Sequence, residues 1–177
     1  MTGSVDETPR IGQPPRTKGR ADACTTQTAA GRVSARELIE ALGLTPHPEG
    51  GWYRETWRAE ARDGERAGGT AIHFLLEAGQ RSRWHKVDAA ETWLFHSGDP
   101  LRLSLSAGDM GPVRSVVLGS DVLAGHAVQH VVQPGEWQAA EPAPVGPAGY
   151  SLVSCVVVPG FDFAGFTLAA EGWVPGP

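Results

Sequence analysis

The first regular pattern of apolar and polar positions begins at residue 34. Ser34 and Glu37 fit a capping box, Leu38, Ile39 and Leu42 fall on one face at helical spacing, and Gly43 is placed to end the helix. From there on the period changes to two. Trp52 to Arg58 alternate as a strand, with Tyr53, Glu55 and Trp57 expected on one face and Trp52, Arg54 and Thr56 on the other. TAIHFLLE (70–77) reads as a buried strand with Ala71, His73 and Leu75 on one side and Ile72, Phe74 and Leu76 on the other. The pattern alone leaves open which side lies inside. A hairpin follows over 79–98, turning at Asp88-Ala89-Ala90, and LRLSLSA (101–107) alternates as a half-buried strand. RSVVLG (114–119), HAVQHVVQ (126–133), PGEWQAAEP (134–142), YSLVSCVVV (150–158) and PGFDFAGFTLA (159–169) complete the series. Together these signals give one helix and about nine or ten strands, which suits a sandwich or a closed double-sheet roll.

Composition sharpens this picture at three points. The chain has 177 residues, enough for one domain and an extension, and its 23 glycines and 14 prolines fit many short strands joined by turns. Residues 1–33 carry almost no large apolar side chains, so a disordered N-terminal tail is expected ahead of a single domain over 34–177. The net charge of −5 argues against a nucleic-acid partner, and no run is long and apolar enough for a membrane helix. Two cysteines, Cys24 and Cys155, do not make a disulfide framework, so a reduced, cytoplasmic protein is expected.

Candidate chemistry gathers in the hairpin. Gly79, His85, Glu91 and Gly98 are regularly spaced; His85 and Val87 share a strand face, and Glu91 opens the next strand. Such a hairpin can bring an imidazole and a carboxylate into one concave space, although the same pair also occurs by chance on surface hairpins. Upstream, Pro46, Pro48, Gly50 and Gly51 make a rigid turn. A Glu-Gly-Gly turn leading into a strand of aromatic and charged residues is unusual for a mere sheet edge.

GQRSRWHKVDAAETWLFHSG resembles the first cupin motif, with Val87 in place of its second histidine. QPGEWQ resembles the second, with Gln138 at its histidine position. The wider run of PHPEGGWYRETWR, TAIHFLL, SRWHKVDAAETW, HSGDPLRL, VVQPGEWQAA and LVSCVVVPGFDF resembles the small cupin-5 (DUF985-like) group of that superfamily from about Leu42 to Ala169. The resemblance implies an all-β fold, the cupin double-stranded β-helix or jelly-roll barrel, with a short N-terminal helix, a pocket inside the barrel and a homodimer. It implies no particular reaction. Of the four usual ligand positions two match, so no cofactor is expected; a divalent metal, if bound, would use His85, Glu91 and Gln138. Departures from the group's usual wording include His73 where tyrosine is common, Leu94 where histidine is common and Ala90 in place of an acid.

These readings lead to an expected small-molecule enzyme of isomerase, epimerase or cyclase type, acting without a metal by acid–base catalysis and suited to bacterial secondary metabolism. His85, Glu91 and His73 are the expected catalytic residues. Tyr53, Arg54, Trp84, Trp93, His96, Trp137 and Gln138 are the expected substrate contacts. The alternatives are a metal-dependent cupin oxygenase or lyase and a non-catalytic metabolite-binding module.

Overall fold

The computed structural model describes residues 33–144 and 146–176. The expected tail, save Val33, lies outside the described residues, as does Cys24. The helix α1 (Ala35–Leu42) forms where the sequence places it. The Ser34 hydroxyl accepts a hydrogen bond from the Glu37 amide, the Glu37 carboxylate accepts from the Ser34 amide at 2.8 Å, and Gly43 closes the helix in a left-handed conformation. Leu38, Ile39 and Leu42 pack with Leu44, Leu75 and Tyr150 on the outer face of a sheet, so the helix covers part of the barrel wall.

Eleven strands follow among the described residues. They are β1 (Thr45–Pro46), β2 (Trp52–Arg58), β3 (Thr70–Glu77), β4 (Ser82–Val87), β5 (Ala90–Gly98) and β6 (Leu101–Ser106), then β7 (Arg114–Leu118), β8 (Gln129–Val132), β9 (Trp137–Pro142), β10 (Tyr150–Val158) and β11 (Phe166–Leu168). They form two antiparallel sheets, ordered β1-β2-β3-β10-β5-β8 and β11-β4-β9-β6-β7, which is a jelly roll. The inner faces of the two sheets supply one core of Phe74, Leu76, Trp93, Leu103, Leu105 and Val153 with their neighbours. Cys155 is a free, buried thiol on β10.

Strict alternation fails on β2, a strand that matters for the site. The pairing of β2 with β3 shifts register between Glu55 and Trp57, so Thr56 is an extra residue in the ladder. Beyond this bulge the faces exchange. Tyr53, Glu55 and Arg58 line the inner cavity beside Phe74, Ile72 and Thr70, while Trp57 turns outward and is half exposed. The expectation that Trp57 shares a face with Tyr53 and Glu55 is corrected by that one residue.

Candidate functional site

The hairpin β4–β5 sets the first two groups. Period-two alternation turns His85 and Val87 inward from β4 and Glu91 and Trp93 inward from β5. His85 is only 2% exposed and Glu91 7%. The His85 ring is fixed by its backbone neighbour: Nδ1 lies 2.8 Å from the Arg83 carbonyl, which can only accept, so Nδ1 carries the proton. The Nε2 lone pair is thereby left for the cavity.

A third group comes from the turn before β2. Glu49, 6% exposed, places Oε2 3.4 Å from His85 Nε2, and its Oε1 accepts from the Ser82 hydroxyl at 2.8 Å. His47 of the same turn sits with Nδ1 3.5 Å from that Oε2, and its ring meets Tyr53 edge-on at 4.5 Å. The turn is clamped to β4 by the Arg83 amide donating to the Glu49 carbonyl at 2.8 Å and by the Arg83 guanidinium donating to the Pro48 carbonyl at 2.9 Å. Gly50 lets it approach so closely: at φ 112° a side chain would put its Cβ 2.2 Å from the Arg81 carbonyl oxygen.

Burial drives the charges of this cluster toward neutrality. Loss of water lowers the pKa of His85 and of His47, while the nearby carboxyls Glu91 and Glu49, respectively, pull the other way. The same loss raises Glu49 and Glu91, opposed by the imidazoles. Cys155, which hydrogen-bonds Glu91, is pushed well above the usual thiol range by burial and by the two carboxyls, so it is a poor nucleophile. Acids raised and bases lowered in one enclosure are both shifted toward their neutral forms.

These groups form the inner end of a cavity of about 510 Å³. Ile72, Phe74, Val87, Val157 and Phe166 make apolar walls, and Phe161, Asp162, Phe163 and Arg58 stand toward the mouth. Arg58 is held by a two-pronged bond to Glu55 and donates to the Phe161 carbonyl at 3.3 Å. It is the only Lys or Arg among the described residues lining the cavity.

The remaining expected site residues divide into three places. Tyr53 lines the cavity. Trp93 and Gln138 are buried beside it: the indole Nε1 donates to Gln138 Oε1 at 2.9 Å and the amide Nε2 donates to Glu91 Oε2. His73, His96 and Arg54 are not in the cavity. His73 alternates with the inward Ile72 and Phe74, so it faces away and contacts Ser154 through Nδ1 at 3.2 Å. His96 reaches the same hydroxyl at 2.6 Å. Trp84 and Trp137 also point outward, for the same reason of strand parity, and pack on Trp173. His47 and Glu49 are absent from the expected set. The signal for them was the charged pair His47-x-Glu49 set between prolines and a Gly-Gly step, since a turn that rigid fixes side chains as firmly as a strand does.

A divalent metal does not fit this donor set. Val87 offers no donor, and the Gln138 carbonyl is committed to an indole N–H, which can only donate, so the amide turns its NH₂ toward the cavity side. Among the described residues no three His, Cys, Asp or Glu side chains are grouped as a metal would need.

A jelly roll with a buried cluster of carboxyls and imidazoles opening into an apolar chamber defines a cupin with a polar-ended pocket. The chain belongs to the DUF985 family of the cupin superfamily, whose pattern matches residues 36–169. It is similar to a hypothetical protein from Leishmania major, with 35% identity over 80% of this chain and 90% of that one and a TM-score of 0.72. A protein from Shewanella oneidensis is alike at 36% identity over 78% and 85% of the two chains, with a TM-score of 0.71. An oxalate decarboxylase from Bacillus subtilis shares the fold alone, at 14% identity and a TM-score of 0.52 over 70% of this chain and 29% of that one. No curated protein matches. No helix among the described residues is long and apolar enough to cross a membrane.

Proposed function

We propose that the cavity is the active site of an isomerase-, epimerase- or cyclase-type enzyme that moves protons on a small, uncharged organic molecule. His85 acts as the acid–base group through Nε2, Glu49 exchanges a proton with it, and Glu91 balances the charge that forms on the ring. The observation that carries this reading is the 3.4 Å approach of Glu49 Oε2 to the free nitrogen of an imidazole that is only 2% exposed, at the inner end of a chamber large enough for a small ligand. The substrate is uncharged because burial holds Glu49 and Glu91 toward their neutral forms, so the inner end offers no charge to pair a cation, and Arg58, the one arginine among the described lining residues, is already paired with Glu55 and is not free to pair an anion. Apolar walls hold its body, and the inner end takes its carbonyl or hydroxyl.

The test is a screen of small carbonyl and hydroxyl compounds in D₂O, read by NMR as deuterium entering a C–H bond. Incorporation that needs His85 and survives chelation supports the reading. Incorporation lost on chelation and regained on adding a metal would replace it with a metal-dependent enzyme. Ligands retained without any exchange would make the pocket a binding module.

Assembly as a homodimer belongs to the same reading. Val113, Val117, Val122, Leu123, Val128 and Val131 are exposed apolar side chains on or beside β7 and β8, which are edge strands of the two sheets. Symmetric pairing of two copies there would cover them together with the free strand edges. Light scattering at micromolar concentration is expected to give twice the chain mass, and Leu123→Glu to shift the protein toward monomer. A monomer in both cases would overturn the assignment.

A further inference from the structure

The two histidines that strand parity turns away from the chamber meet on the outside of the same sheet. Register sets Arg54 of β2 opposite His73 of β3, and His73 opposite Ser154 of β10. On the other side of β10, β5 brings His96 onto the same outer face. Neighbouring strands thus present a row of basic and hydroxyl side chains. Arg54 and His96 are exposed, and His73 and Ser154 are half-buried.

Both imidazoles aim at one oxygen. His73 Nδ1 lies 3.2 Å and His96 Nε2 2.6 Å from Ser154 Oγ, with the ring centroids 6.2 Å apart. A hydroxyl has a single hydrogen, so it donates to one ring and accepts from the other while both rings are neutral. One proton added to the accepting ring makes both rings donors to Oγ. The hydroxyl hydrogen must then turn away from them, toward whatever lies over the row.

The charges around this row are one-sided. Burial, then His96 and Arg54, hold the pKa of His73 below its ordinary value, and no acid among the described residues pulls it the other way. The acids of the packed elements are engaged elsewhere. Glu55 pairs with Arg58, and Glu77 accepts from the Trp52 indole and Gln80. On the helix that packs on this sheet face, Glu40 pairs with Arg36 and Glu37 caps with Ser34. The last strand, β8, adds the uncharged Gln129 beside Leu94.

We propose that this row is an oxyanion-binding site, separate from the chamber, which takes a sulfate- or phosphate-type group between Arg54, His73, His96 and the Ser154 hydroxyl and takes up one proton with it. Arg54 supplies the fixed charge. The added proton supplies a second and frees the Ser154 hydrogen as a donor, so binding tightens as pH falls. A metal cation is the poorer occupant, because Arg54 repels it and two imidazoles fall short of the three protein donors a firm site needs. The inference does not use the chemistry of the chamber.

Sulfate is the first probe, because its charge is constant across the histidine range and any pH dependence then belongs to the protein. The full chain labelled with ¹⁵N-histidine is titrated with sodium sulfate, with sodium chloride holding the ionic strength constant. Saturable shifts of the His73 and His96 ring nitrogens are expected, with tighter binding toward the acid end. Arg54→Gln is expected to weaken binding on the order of tenfold, the weight of one hydrogen bond to a charged group, and Ser154→Ala to weaken it as well. If Ser154→Ala disturbs the sheet, the exposed Arg54→Gln still decides. Shifts equal to those in chloride alone, or binding unchanged in Arg54→Gln, would overturn the site. So would a response to zinc with none to sulfate. Inorganic phosphate against glycerol phosphate separates the sources: tighter glycerol phosphate supports the phosphate group of an organic molecule, and equal or weaker binding supports a free oxyanion.

Discussion

His85→Gln is expected to lower turnover by on the order of 10²–10⁴, the usual weight of a general acid or base, while the protein stays folded. Glutamine keeps much of the ring's reach and can still donate to the Arg83 carbonyl, but it cannot take up and release a proton near neutral pH. The pH profile carries the finer test. His85, held below its ordinary value by burial, must be neutral to accept a proton, so activity falls as pH drops through its lowered pKa. Glu49, held above its ordinary value by burial, must be protonated to donate, so activity falls again as pH rises through its raised pKa. The result is a bell whose two limbs belong to the cluster as a whole. Glu49→Gln should flatten the alkaline limb and leave the acid one.

The same shifts set stability, with opposite signs. A carboxyl whose pKa is raised on folding contributes stability below its ordinary pKa and loses it as pH rises through the raised value. This applies to Glu49 and Glu91. An imidazole whose pKa is lowered contributes stability above its ordinary pKa and loses it as pH falls through the lowered value, which applies to His85. In the wild type these slopes oppose each other. Removing the His85 imidazole leaves only His47 to oppose the carboxyls, so His85→Gln should lose more melting temperature than the wild type as pH rises from the ordinary carboxyl value of 4.5 to the ordinary imidazole value of 6.5. Parallel melting curves across that range, together with full activity, would make His85 a structural residue.

Gly50→Ala is expected to cost about 2–4 kcal/mol, the sum of a backbone conformation that only glycine adopts easily and a methyl group pressed on a carbonyl. The clash is with main chain, the Arg81 oxygen at 2.2 Å, so no side chain can move aside to relieve it. The turn must lift away from β4, and Glu49 leaves His85 with it. Gly64→Ala is the control: its φ of 80° is also positive, but nothing lies within 4 Å of the new methyl. Urea midpoints should separate the two variants clearly. Equal midpoints would show that the turn is not held as tightly as its hydrogen bonds require.

Much of the scaffold was legible in the residue pattern. The capping box at Ser34 and Glu37 and the closing Gly43 are local signals that tertiary context had no reason to override, and each strand with clean alternation forms close to its expected bounds. The hairpin from Ser82 to Gly98 likewise delivers His85 and Glu91 to one chamber. What the pattern could not supply was parity at two points. An extra residue at Thr56 leaves no mark in the order of side chains, yet it exchanges Trp57 for Arg58 at the cavity. For His73 the sequence offers two equivalent faces, and only the packing of Ile72 and Phe74 against the opposite sheet chooses between them. Glu49 escaped for a different reason: it lies on no periodic element, and its place beside His85 depends on a long-range clamp between the turn and Arg83.

The bond from the Trp93 indole to the Gln138 carbonyl also constrains how this pocket can change over generations. A single codon change to histidine at position 138 would not start a path toward a metal centre. Once that imidazole turned its one lone pair to an ion it would strand the buried Trp93 indole N–H, at about 1–3 kcal/mol, while Val87 still offers nothing to the ion. A route to a metal centre asks for changes at positions 87, 93 and 138 together. Selection acting one substitution at a time therefore has open routes through the aromatic walls and the Glu49 turn, which alter what the chamber accepts, and a closed one through the ligand positions.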